Sequence, residues 1–132
     1  MSSADAPTGR ASAGRRILVV DDSADLAETL AMVLVDSGHE VRIAYDGASA
    51  LEQARIFSPE IVFLDIGLPG MSGHDVARAL RAEHSDRAMV LIALSGYGED
   101  EDAERSMASG FDHHILKPVD IDTLQSFIDD MC

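Results

Sequence analysis

Cysteine is all but missing from this 132-residue chain. The one thiol, Cys132, stands at the last position, so no internal disulfide can form, which fits a reducing compartment. Long apolar runs are missing too. The longest, Ala88 to Leu94, falls far short of the ~20 residues that cross a bilayer. The opening residues, Met1 to Arg10, lack the apolar stretch of a secretory signal. A cytoplasmic location is therefore expected. Positive charge is scarce: 10 Lys and Arg face 24 Asp and Glu, for a net charge of −14. Such a surface repels phosphate backbones and anionic membranes, so neither nucleic acid nor membrane is an expected partner. It suits basic partners, or cations held among carboxylates. Lysine is scarcest of all; Lys117 is the only one, every other cationic side chain being Arg.

What is present is a chain that is 46% hydrophobic, enough for one packed domain. Residues 1–14 are small and polar, broken by Pro7 and Gly9, and read as a disordered arm. From 15 to 132 strand and helix alternate. Ile17 to Val20 is an uncharged run that reads as a buried strand, and Val41 to Ala44 as a half-exposed edge strand. Ile61 to Asp65, Met89 to Leu94 and His113 to Leu116 follow as strands. Helical spacing is found over Asp25 to Ser37, Gly47 to Phe57, Asp75 to Glu83, Glu99 to Ser109 and Asp120 to Asp130. Val76, Ala79 and Leu80 are expected to face inward from the third helix, and Ile121, Leu124, Phe127 and Ile128 from the last. The pattern predicts an α/β, doubly wound, flavodoxin-like (βα)5 fold with a five-stranded parallel sheet. Strand order 2-1-3-4-5 would place the first and third strands side by side at the switch point.

Ligands of such sheets bind beyond the carboxyl ends of the strands. There the first strand supplies Asp21 and Asp22, the third Asp65, the fourth Ser95 and the fifth Lys117. Clustered carboxylates repel, and a divalent cation resolves the repulsion; Mg2+ (or Mn2+) needs only one or two of them and leaves positions open for phosphate oxygen. An ammonium, a hydroxyl and a cation around a carboxylate are the requirements of phosphoryl transfer to that carboxylate. The expected product is an acyl phosphate on Asp65.

These residues, with Leu68-Pro69 and Gly73 after Asp65 and Pro118 after Lys117, resemble the receiver domains of two-component response regulators, over Arg15 to Asp130. Strand order 2-1-3-4-5 is already known from chemotaxis receivers of that family. The resemblance implies that Asp65 accepts phosphate from the phosphohistidine of a histidine kinase or a histidine phosphotransfer protein. It implies that Asp22, Asp65 and the Gly67 carbonyl bind Mg2+, with Asp21 acting through water. Ser95 and Lys117 would hold phosphoryl oxygens. Three residues before the lysine many receivers carry Tyr or Phe; here His114 stands, whose charge would bring pH dependence. The resemblance implies that Tyr97 and Gly67 occupy positions that tune hydrolysis of the acyl phosphate. The resemblance further implies a single-domain regulator acting through a downstream protein target, as a monomer or a weak dimer. The dimer face would be the fourth helix, Glu99 to Ser109, with the fifth strand and the fifth helix.

Other readings compete. Asp21-Asp22-Ser23 can merely cap a helix, Asp65 can brace a turn, and Ser95 and Lys117 can be ordinary turn residues. The conjunction at one rim favours a site. A Mg2+-dependent phosphatase with an aspartate nucleophile would show Asp-x-Asp where this chain has Asp21-Asp22-Ser23. A flavin carrier would place a neutral Ser/Thr-rich loop there. His113-His114 lacks the spaced ligands of a zinc site, and the acidic run from Asp100 lacks the glycine and glutamate of a calcium loop.

Overall fold

A computed structural model describes residues 14–85, 88–96, 110–117 and 119–131. Tyr97, Pro118, Cys132, the helix expected over Glu99 to Ser109 and all of the expected arm but Gly14 lie outside the described residues. The elements in chain order are β1 (Arg16–Val20), α1 (Ala24–Asp36), β2 (Glu40–Ala44), α2 (Gly47–Phe57), β3 (Ile61–Asp65), α3 (Gly73–Glu83), β4 (Val90–Ser95), β5 (His113–Leu116) and a C-terminal helix (Ile121–Met131).

The strands form one parallel sheet in the order β2-β1-β3-β4-β5. The predicted strand order and the edge position of β2 are both observed. Alternation sorts each strand's side chains between two cores. Leu18, Val20, Val62, Leu64, Leu91 and Ala93 pack with Ala50 and Ala54 of α2 and Val76, Ala77 and Leu80 of α3. Ile17, Val19, Ile61, Phe63, Ile92 and Leu94 pack with Ala27, Leu30 and Leu34 of α1 and Leu124 and Ile128 of the C-terminal helix. Every residue of β3 is buried, as a central parallel strand requires. Each such Leu, Ile or Phe contributes roughly 1.5–3 kcal/mol through burial.

The helix ends follow local chemistry. Ser23 caps α1, its side chain accepting from Leu26 N–H, Asp46 caps α2 through Ser49 N–H, and Ser72 caps α3 through Asp75 N–H. The expected stop at Gly38 holds: with φ 98° it turns the chain so that His39 N–H reaches Leu34 O at 3.2 Å. Some expectations shift. The third helix begins at Gly73 rather than Asp75, because Ser72 and not Asp75 is its cap. The last begins at Ile121, because the Asp120 carboxylate accepts from Thr123 N–H at 2.7 Å and so precedes the helix. Ile121, expected inside, is 56% exposed; it stands in the first turn, beyond the edge of the core that Leu124 and Ile128 enter. On α3 it is Ala77, not Ala79, that is fully buried with Val76 and Leu80.

Candidate functional site

The site is assembled where β1 and β3 end side by side. Their register pairs Val20 with Leu64, so Asp21 and Asp65 leave the sheet as neighbours. Asp21 N–H is held by Ala44 O of β2, and Ile66 N–H by Leu94 O of β4, which fixes both backbones from the flanking strands. Asp21 is wholly buried and Asp65 nearly so, whereas Asp22 is exposed. One carboxylate oxygen of each of the three lies within 4.8 Å of those of the other two. Both capping readings prove partly right. Ser23 caps α1 and its N–H donates to Asp21 Oδ1 at 2.9 Å, while Gly67 N–H donates to Asp65 Oδ1 at 3.1 Å. The same carboxylates brace turns and form the cluster.

Lys117 arrives from the end of β5, its own N–H donating to Ser95 O at 2.6 Å. Its ammonium stands 2.9 Å from Asp21 Oδ2 and 3.4 Å from Asp65 Oδ1. Burial alone would weaken this ammonium, but contact with Asp21 and the charges of Asp65 and Asp21 outweigh it and hold the lysine's pKa above its ordinary value. For Asp65 the balance runs the other way. Burial pushes its carboxyl up, and the Asp21 charge adds to that, while Gly67 N–H and Lys117 only partly oppose it. Ser95 ends β4, fully buried, with its Oγ 2.5 Å from His114 Nε2.

The donor set fits a hard divalent cation. Among the described residues the buried Asp21 Oδ2 meets only the Lys117 ammonium. Three clustered carboxylates, only two of them in contact with the one ammonium, leave negative charge uncompensated in a partly dry site. Oxygen-only ligation with one exposed member, Asp22, matches an ion that keeps some of its waters.

Four of the five rim residues expected from the sequence, Asp21, Asp22, Asp65 and Lys117, therefore converge by direct contact or within one ion's reach. Ser95 is tied to Lys117 through its backbone and to His114 through its side chain. His113 and His114 face opposite sides, His113 stacking edge-on against Phe127 with centroids 5.4 Å apart. Among the described residues the acidic triad is the one cluster suited to a metal. Two supporting residues are not evident from sequence chemistry. Gly73 enters there only through the family resemblance, yet a Cβ at this position would stand 2.5 Å from Asp65 O and 2.6 Å from Ile66 Cα. Arg81 binds Gly110 O, Met89 O and the Asp112 carboxylate, joining α3 to the start of β4 and the approach to β5. The Gly-Pro-rich loop hints at the first; nothing in local sequence signals the second.

A doubly wound parallel sheet in this order, with an acidic cluster and a lysine at the carboxyl ends of its central strands, defines a flavodoxin-like α/β domain of the chemotaxis-regulator type. The profile of the response regulator receiver domain matches residues 17–129. The chain belongs to that family, a family of two-component signalling. It is 42% identical over 104 residues to the DNA-binding response regulator MtrA of Mycolicibacterium paratuberculosis, covering 79% of this chain and 45% of that protein. The receiver domain of NtrX from Brucella abortus superposes with TM-score 0.79 at 34% identity, covering 86% of this chain and 95% of the other. The chemotaxis response regulator CheY4 of Vibrio cholerae gives TM-score 0.83 at 25% identity, covering 90% and 99%. The chain thus spans under half the length of the curated relatives it matches. No helix among the described residues is long and apolar enough to cross a membrane.

Proposed function

We propose that this receiver domain carries a phosphoryl group on Asp65, taken from the phosphohistidine of a histidine kinase or a histidine phosphotransfer protein. The observation that carries the reading is the placement of Asp65: buried at the end of β3, within 4.8 Å of Asp21 and Asp22 oxygens and 3.4 Å from the only lysine. An Asp65 oxygen attacks phosphorus, the N–P bond of the donor breaks, and the imidazole leaves with its electron pair and takes up a proton. The product is a mixed carboxylic–phosphoric anhydride. Asp21, Asp22, Asp65 and the Gly67 carbonyl would hold Mg2+ or Mn2+. When bound, the ion spreads the charge of the transferring group over fixed dipoles and cations. Lys117 contributes a point charge already anchored between Asp21 and Asp65, and Ser95 contributes a hydroxyl donor.

Anhydride formation changes the charge beside Lys117 and Ser95, and so the loop surfaces that a downstream protein could read. Partner selection on this reading is by protein contact. The net charge of −14 argues against this segment touching nucleic acid, whatever MtrA does as a DNA-binding regulator. The same charge and the short apolar runs suit a cytoplasmic setting. Tyr97 and Gly67 stay on this reading as the positions that set the lifetime of the anhydride.

The test is incubation with a small phosphodonor and Mg2+ followed by intact mass. One added phosphoryl group is expected, absent from Asp65→Asn. Continuous release of phosphate from an external ester would instead indicate a turnover enzyme.

A further inference from the structure

β4 and β5 run in parallel with Ala93 opposite His114 and Ser95 opposite Leu116. Side chains alternate along a strand, so Ala93, Ser95 and His114 share one face of the sheet, while His113 and Ile115 share the other. His114 therefore reaches diagonally across the strand pair, and its Nε2 comes to 2.5 Å from Ser95 Oγ. Ser95 is fully buried, and this imidazole is the one side-chain partner of its hydroxyl among the described residues.

A serine hydroxyl has one proton to give, with two lone pairs to accept. A phosphoryl group near neutrality presents acceptor oxygens. Once Ser95 turns toward a phosphoryl group on Asp65, its proton is committed to that group. His114 Nε2 can then keep its contact with Oγ only as a donor. An accepting Nε2 would draw the serine proton away from the site, and a ring without nitrogen would leave the hydroxyl free to rotate. We propose that His114 is a positioning residue whose Nε2–H donates to Ser95 Oγ and so aims the serine proton at the phosphoryl oxygens on Asp65. This rests on the reading of Asp65 as phosphoacceptor, and it assigns His114 a task set by hydrogen-bond direction rather than by ring bulk.

The test uses the full chain with Mg2+ and beryllium fluoride, a phosphoryl mimic that is not hydrolysed. Nitrogen-15 NMR of histidine-labelled protein should show His114 Nε2 protonated in the loaded form. His114→Phe should weaken beryllium fluoride binding ~5-fold, the worth of one hydrogen bond. His114→Gln, whose side-chain amide presents an N–H at the same reach, should stay within ~2-fold of the unsubstituted protein. Mg2+ affinity without the mimic should be the same in all three, because His114 lies outside the carboxylate cluster. An unprotonated Nε2 in the loaded protein, or equal affinity in His114→Phe, overturns the assignment; should the Phe variant not fold, the nitrogen resonance and the Gln variant decide it. Failure of the unsubstituted protein to bind the mimic, or binding undiminished in Asp65→Asn, defeats the phosphoacceptor reading and this inference together.

Discussion

The Lys117 ammonium stands 3.4 Å from Asp65 Oδ1, nearer still to Asp21 at 2.9 Å, so one cation is shared unequally between two buried carboxylates. Asp65 is the poorer partner, and burial with the Asp21 charge raises its pKa above the usual 3.8. Its charged form is therefore a liability to the cation-free fold.

The first prediction follows from that sign. A carboxyl whose folded-state pKa is raised contributes most below its unfolded value, and loses that contribution as pH climbs through the folded one. Above that window, Asp65→Asn should be more stable than the unsubstituted protein when Mg2+ is chelated, by about 1–2 kcal/mol or ~4–8 °C in Tm. Adding Mg2+ should narrow or reverse the difference, because ion binding stabilises the intact cluster more. Thermal melts with EDTA and with Mg2+ check both halves; a less stable Asp65→Asn in EDTA would contradict the sign.

A second prediction separates two glycines between β3 and the first turn of α3. A Cβ at Gly73 would collide with Asp65 O and Ile66 Cα, both backbone atoms that cannot swing aside. At Gly70, φ is +78° and nothing lies within 4 Å of the added carbon. Gly70→Ala should cost about 1 kcal/mol of left-handed strain and leave Mg2+ affinity alone. Gly73→Ala should cost ~1–3 kcal/mol and also weaken Mg2+ binding several-fold by displacing the end of β3. Denaturant titration and Mg2+ titration of both variants distinguish them.

His39 supplies a pH dependence at the opposite end of the sheet. Its Nδ1 accepts from Arg15 N–H at 3.1 Å, so the ring must be neutral at that nitrogen. Burial, then the Arg15 charge, lowers its pKa below the usual 6.5. A depressed histidine gives stability that is complete above 6.5 and drains away as pH falls toward the folded value. Unfolding free energy should therefore decline on acidification from pH ~7, and His39→Gln should flatten that decline. An identical slope in the variant would show that the loss lies elsewhere.

Arg81 should matter more than a surface ion pair does. The guanidinium contacts Asp112 at 2.7 Å, but it also binds the Gly110 and Met89 carbonyls, and Asp112 in turn accepts from Leu91 N–H. Arg81→Ala should cost about 2–3 kcal/mol because those carbonyls lose their donors, against under ~1 kcal/mol for an exposed pair such as Arg78–Asp75. Arg81→Lys should recover only part, since one ammonium cannot span the fork. Chemical denaturation measures each.

The sheet was legible because the uncharged runs at Ile17 to Val20 and Ile61 to Leu64 are too short for helices and read as buried strands, and the acidic residues that end them mark one rim. Helix starts were less legible, since Ser72 and Asp120 compete with their neighbours as caps and only geometry decides. Ile121 was misplaced because helical spacing places a residue on a face without saying where along the helix the core ends. The Ser95–His114 contact was hidden for a different reason: it depends on β4–β5 register, which no local pattern encodes. The Arg81 clamp likewise joins residues 29 and 31 apart in sequence.

The central claim is most directly tested by finding the modified atom. Protein treated with a small phosphodonor and Mg2+, then reduced with borohydride, converts an aspartyl phosphate to homoserine, and peptide mass mapping locates it. Homoserine at position 65 alone is predicted. Conversion at Asp21 or Asp22, or none at any aspartate in phosphorylated protein, would contradict the account.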